Sequence, residues 1–248
     1  MFPLLYHTHH CLHSQDIPFW LSLADHCNGP ILELGCGTGR VLLPLARAGR
    51  QVFGIDNDPA MLSFLSHSIP GELSQQVSLV QADFTRFCLK KQFELIIMPC
   101  NTYSTLTEPD RRATIECLRN QLSPAGIFAV SMPNPYLLRH LPAHAEPEVE
   151  ESFCLPTNGQ PVQVSSAWNR TQDVFTLNWY YDLLFPDGSV ERISACIQHQ
   201  LTPVKELLEE MREIGLHPDT LYGNFDPSEY TQTADHLIIL ASPVNNLP

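Results

Sequence analysis

Three glycines at alternate positions, Gly35, Gly37 and Gly39, close the stretch I-L-E-L-G-C-G-T-G that runs from Ile31 to Gly39. Glycine lets the main chain turn sharply and lets a ligand lie directly on the backbone, where a Cβ would collide. An apolar strand precedes the loop and a helical run, RVLLPLARAG, follows it at once, so the segment reads as a strand–turn–helix ligand floor. A loop that cradles a pyrophosphate is spaced G-x-G-x-x-G. Here the spacing is G-x-G-x-G, with Glu33 in the strand end and Cys36 inside the loop as a small, size-tolerated residue. That difference points away from a pyrophosphate. The next strand, QVFGID, ends on Asp56. A carboxylate at the tip of the second strand of a βαβ unit can accept both hydroxyls of a ribose.

Together, ELGCGTG and the strand-end Asp56 resemble the class I S-adenosylmethionine-dependent methyltransferases. The resemblance implies that S-adenosyl-L-methionine is the cofactor and S-adenosyl-L-homocysteine the product. It places the methionyl and ribose parts of the cofactor on the Glu33 to Gly39 loop (Glu33, Gly35, Cys36, Gly37, Gly39) and the ribose on Asp56, with Asn57 and Met61 near the adenine. VSLVQADF ends in Asp83-Phe84, which the resemblance assigns to the adenine amino group and to packing on its ring. FELIIMPCNTYSTL breaks at Pro99, where the family sets a strand end beside the reactive methyl group. Each residue also has a plainer reading: Asp58, standing before Pro59, is the better helix N-cap than Asp56, and Asp83 by itself is a cap or turn residue. Its weight comes from its place in the series.

The segment after the fourth strand bears on the acceptor. Methyltransferases acting on DNA bases or on protein glutamine carry D/N-P-P-Y/F there; this chain has M-P-C-N-T-Y, which speaks against adenine, cytosine or glutamine. It resembles instead the P-x-N-x-x-x-x-L pattern of small methyltransferases related to aminosugar N-methyltransferases and glycine N-methyltransferase. Asn101 and Tyr103 are then the residues expected to face cofactor and acceptor, the alternative being that Asn101 only caps the turn. His140 and His144 follow the fifth strand on the acceptor side, and His140 is taken as the candidate base. Relatives often carry an acid where Ser131 stands. Transfer from a sulfonium needs mainly positioning and exclusion of water, so a base is not obligatory.

Positioning these residues requires alternating strands and helices. From Pro30 to Ala82 the pattern is strand, helix, strand, helix, strand, followed by the fourth strand, a helix over EPDRRATIECLRNQL and a fifth strand over GIFAVSMP. Such alternation favours a parallel sheet covered on both faces. Residues 134–160 read as loop, with prolines and a run of acids from Glu146 to Glu151. VQVSSAWNR, VFTLNWYYDLLF and SVERISACIQHQL read as antiparallel strands, with Pro186-Asp187-Gly188 as a hairpin turn and Trp168, Trp179, Tyr180 and Tyr181 as lining or core of a lid. Thr202 is the expected N-cap of a helix over TPVKELLEEMREIG, and strands around Leu221 and over HLIILA complete the sheet. The fold class is therefore α/β: a Rossmann-like, seven-stranded, mostly parallel sheet with helices on both faces, plus an inserted antiparallel β lid. The expected organisation is an N-terminal arm and helix over the cleft (1–29), a methyltransferase core (30–135 and 201–248) and a β insertion (136–200) serving as lid or oligomer contact. In the first of these, His7, His9, His10 and His13 read as an exposed arm without a metal site, a helix covers DIPFWLSLADHC, and Tyr6 is positioned to face the ligand.

Composition bounds the partners. Fourteen basic residues against 27 acidic give a formal net charge of −13, which repels phosphate backbones and anionic lipid heads and argues against nucleic acid and membrane. The eight cysteines form no C-x-x-C pair; with no evident signal peptide or membrane-length apolar run, a reducing cytoplasm is expected. Cys100 lies beside the expected methyl site. The function expected is methyl transfer to an amine or hydroxyl of a small molecule, amine favoured, by a monomer or homodimer. The rivals are a nicotinamide-dependent oxidoreductase, for which Asp83 has no role, and a non-catalytic protein that binds S-adenosylmethionine.

Overall fold

The computed structural model describes residues 1–244, and the last four residues of the expected core segment lie outside them. Four parallel strands come first in the chain: β1 (Ile31–Leu34), β2 (Val52–Asp56), β3 (Val77–Gln81) and β4 (Phe93–Met98). With β5 (Leu122–Pro133), β10 (Leu216–Tyr222) and β11 (His236–Pro243) they make one seven-stranded sheet in the order β10-β11-β5-β4-β1-β2-β3. Only β11 runs antiparallel to its neighbours β5 and β10; every other pairing is parallel. The strand order reverses at β1, between β2 and β4, which is where an open α/β sheet leaves a crevice at the carboxyl ends of its strands.

Burial along all of β1, and along β4 save at Glu94, is what a central parallel strand requires, since helices cover both faces. On one face α2 (Ile17–Asp25), α3 (Leu42–Arg47) and α4 (Pro59–Ser68) pack through Trp20, Leu42, Leu45 and Leu65. On the other, α5 (Glu108–Arg119) and α7 (Val204–Glu213) pack through Ile115, Leu118 and Met211. α4 starts where the sequence predicts: the Asp58 carboxylate accepts the Ala60 and Met61 amides at 2.7 and 3.3 Å, and Pro59 stands in the first turn. Such a cap is worth about 1 kcal/mol. α5 is shorter than its pattern, because Leu122 turns into the core beside Phe93 and Gly126 and begins β5 early. Pro203, not Thr202, stands at the N-cap of α7, without a side-chain cap.

Two segments depart further from the sequence reading. Residues 134–160 are not loop: Asn134 caps a helix, α6 (Pro135–His140), and the acidic run is an edge strand, β6 (His144–Cys154). β6 extends the sheet of β7 (Pro161–Arg170), β8 (Val174–Leu184) and β9 (Val190–Gln200) to four antiparallel strands in chain order. Acidic side chains on an edge strand keep it solvated and unpaired, which is why the run has so little apolar signal. The histidine-rich N-terminus is not an exposed arm but a helix, α1 (Phe2–Cys11), with Leu5 and His9 buried. Leu5 packs into the small core of the four-stranded sheet with Val164, Tyr181 and Leu183, so α1 belongs structurally to the lid as much as to the cleft. Among the described residues no helix is long and apolar enough to cross a membrane.

Candidate functional site

The glycine loop leaves β1 with positive φ at all three glycines: 75° at Gly35, 50° at Gly37 and 82° at Gly39. Two of them also need the missing side chain for packing, since a Cβ on Gly35 would stand 2.9 Å from Thr102 and one on Gly39 2.3 Å from Leu65. A Cβ on Gly37 would meet nothing within 4 Å, so this glycine borders open space where a ligand can rest on the backbone. Its amide donates to Asp56 Oδ2 at 2.7 Å, and the Asp58 amide donates to Asp56 Oδ1 at 2.9 Å. The strand-two carboxylate thus holds the loop in shape while each oxygen keeps lone-pair capacity for a hydroxyl.

Glu33 is buried, with Oε2 lacking any hydrogen-bond partner. Burial pushes its carboxyl well above the ordinary carboxylate range, opposed by the nearby Arg40 cation. An orphaned buried carboxyl oxygen two residues before Gly35 invites a cationic hydrogen-bond donor. Arg40 follows Gly39 directly. Its guanidinium grips Asp16 with two contacts of 2.6 Å and donates to the Cys100 thiol at 2.8 Å. Burial alone would lower its pKa, but Asp16 and Cys100 raise it, so the group stays charged.

The chain after β4 has an unusual backbone. Cys100 and Asn101 are consecutive non-glycine residues in the left-handed region, φ 58° and 66°. Such conformations persist only where neighbours over-determine them. Here Ser104 supplies the restraint: its amide and its hydroxyl both donate to the Asn101 carbonyl, at 3.2 and 2.7 Å. With its one proton committed, the Ser104 oxygen accepts from His199 Nδ1 on β9 at 2.9 Å. That fixes the neutral tautomer of His199 with the lone pair on Nε2. Burial pushes His199 down to about 4.

His199 and Asn101 line a cavity of about 620 Å³ between the sheet and the lid. Its floor is Arg40, Cys100, Asn101 and Thr102, where the glycine loop meets the end of β4; its walls are Leu177, Trp179 and Ile197 of the lid, with Tyr6 from α1 and Phe225. Burial raises the Tyr6 phenol, and it raises the Cys100 thiol to about 11 against the pull of Arg40. His7 of α1 reaches the loop itself, Nδ1 to Thr38 Oγ1 at 3.0 Å.

The predicted cofactor residues come together at the carboxyl ends of adjacent strands: the loop after β1, Asp56 and Asn57 after β2, Asp83 after β3, Pro99 and Asn101 after β4. The Cys36 side chain turns away beneath the loop, against Gly54 and into the α3 core. Met61 is buried on α4 and Asn57 is exposed. Asp83 closes its own turn, Oδ1 accepting the Thr85 hydroxyl at 2.7 Å and amide at 2.9 Å, and these bonds lower its pKa. Phe84 packs partly buried at the edge of the α5 face and Pro99 is buried.

Two predicted residues are elsewhere. Tyr103 is fully buried in the core on the α5 side, its ring 6.2 Å from Phe128 and its hydroxyl without a partner, so it does not face the cavity. The short 3-10 turn over Thr102–Thr105 sends Thr102 and Thr105 to the cavity and Tyr103 inward. His140 is exposed at the end of α6, bonded to its own helix through the Tyr136 carbonyl at 2.7 Å, in a separate surface hollow with Arg139 and Arg170. His144 is exposed at the start of β6. Sequence reasoning missed Asp16, Arg40, Ser104 and His199. Arg40 had a signal, adjacency to Gly39; His199 had none, since β9 and the β4 end meet only through the fold.

Comparison with known proteins places the fold. Residues 31–126 match the family described as a methyltransferase domain. The chain is similar to a putative methyltransferase, YqeM, of Bacillus subtilis, 24% identical over 227 residues that cover 90% of this chain and 87% of that protein. Among solved structures it resembles an S-adenosylmethionine-dependent methyltransferase of Clostridium acetobutylicum, with a TM-score of 0.79 at 13% identity, covering 93% and 92% of the two chains. It also resembles CalS10 of Micromonospora echinaspora, an amino pentose methyltransferase with S-adenosylmethionine bound, with a TM-score of 0.74 at 18% identity and 96% of each chain covered.

Proposed function

Residues 31–126 form a methyltransferase domain on the class I, S-adenosylmethionine-dependent fold, and from that premise we propose that the chain methylates an amine nitrogen of a small molecule with an apolar or aromatic body. The observation that carries this reading is His199, whose Nδ1 is tied to the strand end at Asn101 through Ser104 while it lines the cavity. Nε2 makes no hydrogen bond to protein among the described residues, and as a neutral acceptor it can take an N–H of the incoming amine and aim its lone pair at the floor. A protonated imidazole would repel an ammonium; this one, held to about 4 by burial, does not.

The cofactor, when bound, supplies an activated methyl group on a sulfonium leaving group. The chain's own residues supply position. Asp56 would take the ribose hydroxyls, Glu33 a cationic methionyl group, and Arg40 its carboxylate. The cavity, at about 620 Å³, is of the size that holds one small ligand, and its Tyr6, Leu177, Trp179, Ile197 and Phe225 walls exclude water. The amino pentose specificity of CalS10 supports an amine over a hydroxyl. A monomer or homodimer acting in the cytoplasm remains part of the same reading.

Calorimetric titration with S-adenosylmethionine, S-adenosylhomocysteine and NAD tests the donor, and turnover on matched amine and hydroxyl panels tests the acceptor. Tight binding of the two sulfur nucleosides and methylation confined to amines are expected. Binding of NAD alone would sink the whole proposal, and methylation of hydroxyls only would sink its acceptor half. Binding of S-adenosylhomocysteine with no turnover on either panel would make the chain a non-catalytic binding protein.

A further inference from the structure

Three side chains converge between the N-terminal segment and the lid, one of them, His13, at the edge of the cavity itself. His9 Nε2 lies 2.8 Å and His13 Nε2 2.9 Å from the same oxygen, Oε1 of Glu151 on β6. All three ligand atoms stand within 4.8 Å of one another. We infer that His9, His13 and Glu151 form a binding site for one divalent transition-metal ion of the zinc class, which clasps the N-terminal helix to the lid.

The donor set is the first reason. Two imidazoles and a carboxylate suit zinc and its first-row neighbours, not magnesium or calcium, which take oxygen. Bonds of about 2.0–2.1 Å in a tetrahedron hold ligand atoms about 3.3 Å apart, so each nitrogen needs to part from the Glu151 oxygen by only a few tenths of an ångström, while the two nitrogens already stand within 4.8 Å of each other and water completes the shell. The second reason is the support behind the ligands. His9 Nδ1 is bonded to the Tyr181 hydroxyl at 3.0 Å, which holds the ring and leaves Nε2 to bind, the outer-shell arrangement that metal-bound histidines ordinarily have. His9 is also stacked on His10, with centroids 4.7 Å apart, and set edge-on to Trp179 at 4.8 Å. The third is a bulge. The register of β6 against β7 shifts between Val149 and Glu151, and there the two successive acids part: Glu150 accepts from Ser166 and Glu151 turns to α1. Bulges recur where a side chain must be re-aimed. The inference does not rest on the acceptor chemistry proposed above. The histidine spacing alone predicts no metal site, because the third ligand comes from the far side of the lid.

The test uses the full chain, freed of metal with a chelator and titrated with Co²⁺ while visible absorption and thermal unfolding are followed. One saturable equivalent is expected, with d–d bands but no thiolate charge-transfer band, displaced by Zn²⁺, and Zn²⁺ should raise Tm. His13→Ala, at an exposed ring that the fold does not need, and Glu151→Gln should each weaken binding at least tenfold, whereas Cys11→Ser should not. The control matters because Cys11 and His7 approach to 3.6 Å and offer a competing thiolate pair. A thiolate band, binding that survives both His13→Ala and Glu151→Gln, or no saturable binding would each overturn the assignment. The last of these would leave a clasp made by hydrogen bonds alone.

Discussion

At the scale of single residues, Asp56 and His199 carry the most testable chemistry. Asp56 anchors the Gly37 amide and, in the proposed reading, offers lone pairs to a ribose, so Asp56→Ala should weaken S-adenosylmethionine binding by about 2–3 kcal/mol, the usual cost of losing hydrogen bonds to a charged acceptor. Titration calorimetry checks this, and unchanged affinity would remove the ribose assignment. His199 acts by positioning, so His199→Ala should lower kcat by about 10²-fold, the scale of a misplaced reactant, with cofactor affinity kept and part of the rate restored in His199→Gln. A loss confined to KM would contradict that role. The same residue makes a stability prediction. Its pKa falls from an ordinary 6.5 to about 4 on folding, so between those values the unfolded chain binds the extra proton. The contribution is complete above pH 6.5 and is lost as pH falls through 4, about 3 kcal/mol over the window. Urea unfolding of wild type and His199→Gln at pH 7 and 5 should show the steeper acid loss in wild type; parallel curves would refute it.

At the scale of elements, the cleft depends on how α5 and α7 back the end of β4. Arg111 of α5 and Glu210 of α7 form a buried, two-contact ion pair at 2.7 and 2.6 Å, and Arg111 also donates to the Leu106 carbonyl, which closes the turn after β4. Removing one member leaves a charge uncompensated in the core, so Glu210→Ala should cost about 3–5 kcal/mol, read by urea unfolding. A loss below about 1 kcal/mol, as for exposed pairs, would show the pair to be dispensable. α1 is the other decisive element. Its Leu5 is buried with the lid, and its His7 touches the glycine loop, so this one helix ties the lid to the loop.

At the scale of the whole molecule, a net charge of −13 attracts cationic ligands to a cavity that already holds Arg40 neutralised by Asp16. For a cationic amine, kcat/KM should fall as salt rises and the screening length shortens to about 10 Å at 0.1 M, whereas a neutral acceptor should be indifferent. A rise with salt would argue against an ammonium substrate.

The amino-acid sequence by itself determined the donor half of the protein. Gly35, Gly37, Gly39, Asp56 and the order of strand ends are local patterns, because positive φ and a strand-tip carboxylate each depend on a few neighbouring residues. A parallel sheet then brings successive strand ends together with no further instruction. Only the tertiary structure decided which side chains face the cavity. A one-residue difference in a short 3-10 turn sends Thr102 to the cavity and Tyr103 into the core, and no periodicity records that choice. His199 meets Ser104, and Glu151 meets His9, across ninety or more residues of sequence. Such contacts are set by how the lid packs on the turn after β4 and on α1, through long-range burial that no local window of sequence contains.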